Sequence, residues 1–409
     1  MPTIAILGTF DSKGPEHGFL ADCIRSRGID TLLINAGSLA APGITPDISA
    51  DEVAAAGADD WKAVLARQDR GECVTLMAKG AAKVVADLVE SGRVQGIISL
   101  GGGGGTAICT AAMRALPIGF PKVMVSTLAS GNTAPYVGTK DIVMIPAIAD
   151  VAGINRLTRV IFENAAGAIC GMVQAAEGRK QAPTSDKPLI VASMFGNTTA
   201  CVTAAKEQLE QAGYEVLVFA ATGNGGRAME ALIESGMVSG VLDITTTEWA
   251  DELCGGVLNA GPERLDAAAK AKVPAIVTPG CLDMVNFGEP QTVPAKYAGR
   301  TFYQHNAQVT LMRTNAEECA QLGKIIADKV NAYTAPVTVL LPTKAISVIS
   351  AEGKAFHDVA ADTALFAALK ANLKPGVPVI EMDVEINDPA FSAACAGALL
   401  ENITKAGRP

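Results

Sequence analysis

The chain is short of aromatics and of charge. Phe, Trp and Tyr make up 4% of its 409 residues, and Asp, Glu, Lys and Arg 18%, against about 25% charged in ordinary globular chains. At 49% hydrophobic it cannot be a disordered chain, which needs low hydrophobicity and high net charge. Basic residues are in deficit, 33 against 42 acidic for a net charge of −9. No basic stretch could release counterions from a phosphate backbone, which argues against a nucleic-acid partner. The nine cysteines (Cys23, Cys73, Cys109, Cys170, Cys201, Cys254, Cys281, Cys319, Cys395) include no CxxC pair, and most have apolar neighbours. A zinc site or disulfide framework is therefore not expected; reduced thiols in a cytoplasmic protein are. The N-terminus lacks a basic n-region and meets an acid at Asp11, so no signal peptide is read there. Residues 96–113 and 189–205 are free of charge, but glycines or hydroxyl residues interrupt both. Neither reads as a membrane span of about 20 apolar residues.

Glycine and short apolar runs are abundant. The length suits two domains of about 100–200 residues each. Apolar runs ending in glycine or small polar residues recur at 3–7, 31–34, 96–100 and 122–125, with helical spacing between them, such as Phe19, Leu20, Cys23 and Ile24 on one face. A long helix is expected over 151–176, ending before Gly178. The stretch GRKQAPTSDKP at 178–188 is the most linker-like in the chain and marks a boundary. The same grammar then restarts at 189–193, 215–220, 240–244 and 275–278, with further runs at 337–341, 345–349 and 377–381. Strands alternating with helices imply parallel sheets covered on both faces. The expected fold is α/β, two Rossmann-like doubly wound domains in tandem over 1–180 and 187–409, with a divergent duplication as one origin.

In such sheets ligands bind where strands end and helices begin. The strongest loop is Gly101-Gly102-Gly103-Gly104-Gly105-Thr106, between an apolar run and an Ala-rich helix. Without Cβ atoms its N–H groups can converge on an anion, and the helix N-terminus adds about 0.3–1 kcal/mol, or up to about 2 when partly buried. Thr106 could cap that helix or donate to a phosphate. The plain alternative is a flexible turn, though five adjacent glycines are costly for a mere turn. No GxxxxGK[ST] occurs, and a GxGxxG match at Gly101 fails at Thr106. No ribose-binding acid follows, since Ser126 and Thr127 stand at the end of the next strand. Asp11 and Lys13 offer a carboxylate for a metal–water shell and a cation for phosphate, or else a helix cap and a solvated lysine. Ser130-Gly131-Asn132-Thr133 offers further donors or a simple turn, and Lys79 reads as ligand or surface. In the second half Gly223-Asn224-Gly225-Gly226, before Arg227, is another candidate anion cradle. Asp243, Glu248, Asp283, His305 and Arg313 form an acid–base–cation set suited to a small oxygenated substrate, or separate caps, ion pairs and a core histidine.

Long ordered stretches carry a family likeness: GTFDSK at 8–13, GGGGGT at 101–106, PKVMVSTLASGNTAPYVG at 121–138, DVAGIN at 150–155, ATGNGGRAMEAL at 221–232, LDITTTE at 242–248, LDMVNFG at 282–288 and HNAQVTLMRT at 305–314. Through them the chain resembles the family of the N-terminal ATP-binding module of the tomato tobamovirus-resistance protein and its bacterial and fungal relatives. The resemblance implies ATP and Mg²⁺ in the first domain and a homodimer. It carries ATP contacts onto Thr9, Phe10, Asp11, Lys13, Gly101, Gly102, Gly103, Gly104, Gly105 and Thr106, with Lys79, Ser130 and Gly131 nearby. The chain departs from the family pattern at Gly103, where the family has serine. The plant members' extra C-terminal barrel has no counterpart in these 409 residues. Three functions remain open on this footing. One is an ATP/Mg²⁺-binding enzyme acting on a small metabolite at the interdomain cleft. The others are a non-catalytic nucleotide-responsive regulator and an NAD(P)-dependent oxidoreductase.

Overall fold

Aliphatic runs bounded by glycine fold as the strands of two parallel sheets. The computed structural model describes residues 1–38, 41–179 and 187–407, and the chain divides into two units, Met1–Thr184 and Ser185–Pro409. Residues 180–186 of the expected linker lie outside the described residues.

In the first unit, β1 (Thr3–Gly8), β2 (Asp30–Asn35), β3 (Gly96–Gly101), β4 (Lys122–Ser126) and β5 (Val143–Pro146) run in the order β2-β1-β3-β4-β5, every pair parallel. The two-residue strand period sorts their side chains into two cores. Ala5, Leu7, Ile97 and Met124 pack with residues of the helices Arg70–Glu90 and Gly103–Arg114. Ile4, Ile6, Ile98, Val123 and Val125 pack with the helices Phe10–Arg25 and Arg156–Arg179. β3 is buried along its whole length, as a strand covered on both faces must be.

The second unit holds β6 (Leu189–Met194), β7 (Glu215–Ala220), β8 (Val238–Thr245) and β9 (Ala275–Gly280), joined by β13 (Val337–Pro342) and β14 (Val379–Met382). Between β9 and β13 the chain forms a separate antiparallel sheet from β10 (Met284–Phe287), β11 (Phe302–Asn306) and β12 (Val309–Arg313), ordered β10-β12-β11. The larger sheet is all parallel in the order β14-β13-β9-β8-β6-β7. Numbered along each parallel sheet's own strands, and read from the β2 and β7 edges, both sheets run second, first, third, fourth, fifth, the second sheet adding a sixth. This shared order is what a duplication would leave behind. The expected class, two Rossmann-like α/β domains in tandem, is what the chain adopts.

Three expectations are corrected. The long helix begins at Arg156 rather than at 151, because the Asn155 side chain accepts the N–H groups of Leu157 (2.9 Å) and Thr158 (3.0 Å) and caps it. Gly178 lies inside it rather than beyond its end. The apolar run 345–349 is no strand. Only Ala345 makes a bridge, to Glu385, and Ser347 then caps the 3₁₀ turn Val348–Ser350 by accepting the Ser350 N–H at 3.0 Å. Among the described residues no helix is long and apolar enough to cross a membrane.

Candidate functional site

Strand order 2-1-3-4-5 has its switch point between β1 and β3, and in such sheets ligands bind at the carboxyl ends of the strands there. From β1 the chain passes Thr9 into the helix Phe10–Arg25, which has a non-helical residue at Lys13 (φ −136°, ψ 32°). The Lys13 carbonyl is taken by His17 Nδ1 at 2.7 Å. Burial lowers the His17 pKa to about 4, so the ring is neutral, donates from Nδ1, and leaves Nε2 unpartnered against Gly8. The Lys13 ammonium donates to the Val151 carbonyl and lies 4.0 Å from Asp150 Oδ1. Glu16 Oε1 accepts the Gly153 N–H. One turn of helix thus holds the loop that follows β5. Asp11 sits with its carboxylate against Gly37. The Thr9 hydroxyl accepts from Ser12 Oγ at 3.1 Å. Phe10 is wholly buried, and its N–H is committed to Asn35 Oδ1 at 3.1 Å.

From β3 the glycine run does not form a loop. Gly102 is the N-cap and the helix Gly103–Arg114 begins within the run, three residues before Thr106. The first intrahelical bond runs from Thr106 N–H to Gly102 O at 2.8 Å, and no side chain caps the end. The N–H groups of Gly103, Gly104 and Gly105 are the leading donors that such a terminus leaves unmet. Thr106 is not the cap: it is fully buried, its hydroxyl 2.7 Å from Ser126 Oγ, which in turn accepts the Leu128 N–H.

Gly102 and Gly103 open on a cavity of about 490 Å³, walled by Thr127, Ser130 and the loop Ile148, Ala149 and Asp150. Gly131 N–H closes a turn onto Leu128 O at 3.0 Å. Ile148 has φ 63° and is 75% exposed. A β-branched residue in the left-handed region is strained, and such strain collects at ligand sites. A Cβ added at Gly103 would meet nothing within 4 Å, and one at Gly104 only the tips of Arg70 and Val74 at 3.8 and 3.9 Å. Neither glycine has a positive φ. Packing within the unit therefore does not require these glycines. Lys79 lines a different cavity, with Gly57, Asp69 and Thr75. Ile148, Ala149 and Arg70 carry no sequence signal for this site, because only the fold brings them to it.

In the second unit the candidate residues separate. Arg264, 1% exposed, donates to both oxygens of Asp243 at 2.6 Å, to Glu248 Oε2 at 2.7 Å and to Glu230 Oε1 at 3.0 Å. The other oxygen of Glu248 accepts the N–H groups of Gly223 (2.7 Å) and Gly226 (3.1 Å). The expected anion cradle is thus filled by a carboxylate of the chain itself. Asp283 is fully buried: Ser347 donates to Oδ2 at 2.7 Å, Oδ1 has no partner, and burial pushes its pKa up to about 6 against the pull of Arg313. Arg313 pairs with Asp362 at 2.6 Å. His305 stands exposed on β11. Sequence reasoning missed Arg264, the hub of the first cluster, because nothing local marks it. Among the described residues no group of three or more His, Cys, Asp or Glu side chains could hold a metal.

Asp251, also buried, accepts from Leu258 N–H (3.2 Å), Asn286 N–H (3.0 Å) and Asn286 Nδ2 (2.8 Å). Burial outweighs these donors and pushes its pKa up to about 7. Turning over the Asn286 amide, whose Oδ1 is otherwise unpartnered, gives a protonated Asp251 an acceptor. Since the folded pKa exceeds the unfolded value of 3.8, the native state holds the proton longer, and stability falls as pH rises from about 4 to 7. Urea unfolding at pH 5 and pH 8 should show most of that loss, up to about 3 kcal/mol by linkage over this interval, and Asp251→Asn should flatten it. An unchanged slope in the variant would place the titration elsewhere.

Fold and site together define a two-domain Rossmann-like α/β protein with an uncapped glycine helix at the switch point of its first sheet. The Uncharacterised protein family (UPF0261) N-terminal domain matches residues 2–178, and the C-terminal domain of that family matches residues 187–403. The chain belongs to this family. It is 50% identical over 403 residues to a UPF0261 protein of Clostridium tetani, covering 98% of this chain and 99% of that one. Against a UPF0261 protein of Rhizobium meliloti it is 47% identical over 400 residues, covering 97% and 98%. Against the ToMV resistance protein Tm-1(GCR237) of Solanum lycopersicum it is 42% identical over 336 residues, covering 81% of this chain and 45% of the tomato protein.

Proposed function

We propose that the first unit binds the phosphates of a nucleotide, ATP with Mg²⁺, at the carboxyl ends of β1 and β3. One observation carries the reading: the glycines at 103 and 104 have room for a side chain and no conformational need to lack one. Glycine there is explained by a ligand lying against the backbone. Backbone N–H groups and the helix N-terminus suit an anion. Arg70 and Lys13 supply positive charge, and Asp11 and Asp150 supply carboxylates. Mg²⁺ binds through one or two such carboxylates together with phosphate oxygens, so no protein-only cage is required.

In this reading the chain is an enzyme acting on a small metabolite, positioned by its nucleotide. The second reading, a nucleotide-responsive homodimeric regulator without catalysis, is favoured by the burial of Asp243, Glu248, Asp283 and Arg313. Calorimetry on nucleotide-stripped protein should show ATP·Mg²⁺ binding and no NADH binding. NADH binding without ATP binding would favour the oxidoreductase and sink both readings. Light scattering with and without ATP, beside a product assay, separates regulator from enzyme.

A further inference from the structure

Two helices of the second unit meet at a pair of thiols that the nucleotide reading does not use. Thr199–Gln211 and Pro389–Lys405 pack against each other and share one core with Ile190, Leu242 and Ile276. Their first turns are tied together by Asn387, two residues before Pro389. It accepts the Cys201 N–H at 3.1 Å and donates to Asn197 O at 2.9 Å. Cys201 is the third residue of its helix, and its thiol meets the Cys395 thiol and the Ser392 hydroxyl of the other. Ser392 and Cys395 are three residues apart and present one helix face, which is how both reach the same sulfur. Both cysteines are wholly buried in the shared core.

Other buried thiols of the chain have partners of a different kind. Cys109 donates to Leu7 O at 3.6 Å, and Cys319 Sγ lies 3.2 Å from the Thr314 hydroxyl. The two sulfurs of the pair are also unequal. The Cys395 thiol holds the Cys201 pKa below the ordinary thiol value, against burial and with help from Ser392. A place in the first turn of a helix acts in the same sense. Cys395 has no such support, and burial pushes its thiol up. Cys201 is thus the readier nucleophile, with a resolving thiol already beside it.

We propose that Cys201 and Cys395 are a modification site, a dithiol that hydrogen peroxide converts reversibly to a disulfide fastening the helix Pro389–Lys405 to the helix Thr199–Gln211. Cys201 sulfur attacks the peroxide, so that an S–O bond forms, the O–O bond breaks and the thiol proton leaves in water. Cys395 sulfur then attacks the sulfenic acid. The S–S bond forms, the S–O bond breaks, and the hydroxyl departs with the Cys395 proton as a second water. Two thiols lose two electrons and two protons, and peroxide takes up both. The oxidant is small and uncharged, so brief local opening of the helix ends admits it.

Hydrogen peroxide treatment of the folded full chain, then unfolding, thiol counting and peptide mass spectrometry, tests the assignment. Two of the nine thiols should be lost, one peptide pair should join Cys201 to Cys395, and dithiothreitol should restore both. The oxidised chain should unfold at a higher urea concentration, because the crosslink restricts the unfolded chain over a long loop. Cys395→Ala should leave Cys201 as a sulfenic acid that dimedone captures on unfolding, whereas Cys201→Ala should leave Cys395 a thiol. Retention of all nine thiols, a crosslink between other cysteines, or oxidation of Cys395 without Cys201 would overturn the proposal. So would a crosslinked chain whose urea midpoint is unchanged or lower, since the bond would then not fasten the native helices. The thiol count and the peptide map use the unaltered chain, so they decide the matter even if a variant fails to fold.

Discussion

Arg264→Met should lower the unfolding free energy of the protein by about 3–5 kcal/mol, the range for removing one partner of a buried ion pair. Arg264 is the cation facing Asp243, Glu248 and Glu230, all of them buried or nearly so. Without it three carboxylates face one another in the interior, and Gly223 and Gly226 alone continue to serve Glu248. Burial already pushes the Glu230 carboxyl upward with the arginine in place, so acid should relieve the variant by protonating the cluster. Urea unfolding should therefore show a larger penalty at pH 8 than at pH 5. A loss below about 1 kcal/mol at pH 8 would mean that the cluster is exposed and solvated, as surface pairs are. Asp243 and Glu248 would then regain their standing as candidates for chemistry.

Gly104→Val should abolish ATP binding while leaving the fold intact. Its added Cβ meets only the ends of Arg70 and Val74 at ordinary contact distance, so steric damage within the unit is small. A phosphate seated on the N–H groups of Gly103 and Gly104, by contrast, has no room for two methyls. Gly103→Ala gives the sharper comparison. Nothing lies within 4 Å of its Cβ, and replacing glycine by alanine in a helix is worth roughly 0.5–1 kcal/mol. The variant should melt higher and bind ATP more weakly. Opposite signs of stability and affinity are what a ligand-imposed glycine predicts. Unchanged affinity in both variants would remove the glycine helix from the nucleotide site.

The strands were legible because each apolar run ends at a glycine or hydroxyl cluster, and parallel strands buried on both faces read as continuous runs. The start of the helix at Gly103 was not, because glycine carries no helical signal and the run reads equally as a loop. The little antiparallel sheet escaped for a related reason: β11 is exposed along its length and shows no alternation. Of the candidate site, the positions of Gly102, Gly103 and Ser130 at one cavity followed from strand-end logic. The partners of Asp243 and Glu248 could not be foreseen, since Arg264 lies 21 and 16 residues away along the chain. Ile148 was invisible because a left-handed backbone at an isoleucine leaves no trace in composition.

The Glu248 carboxylate at Gly223 and Gly226 has a consequence for how the two units meet their surroundings. An anion fixed to the same chain holds its place at a very high effective concentration, and dissolved phosphate or chloride competes with it poorly. The helix N-terminus of the second unit is thus indifferent to the ionic composition of the medium. In the proposed reading that of the first, with no side-chain cap among the described residues, takes its anion from solution.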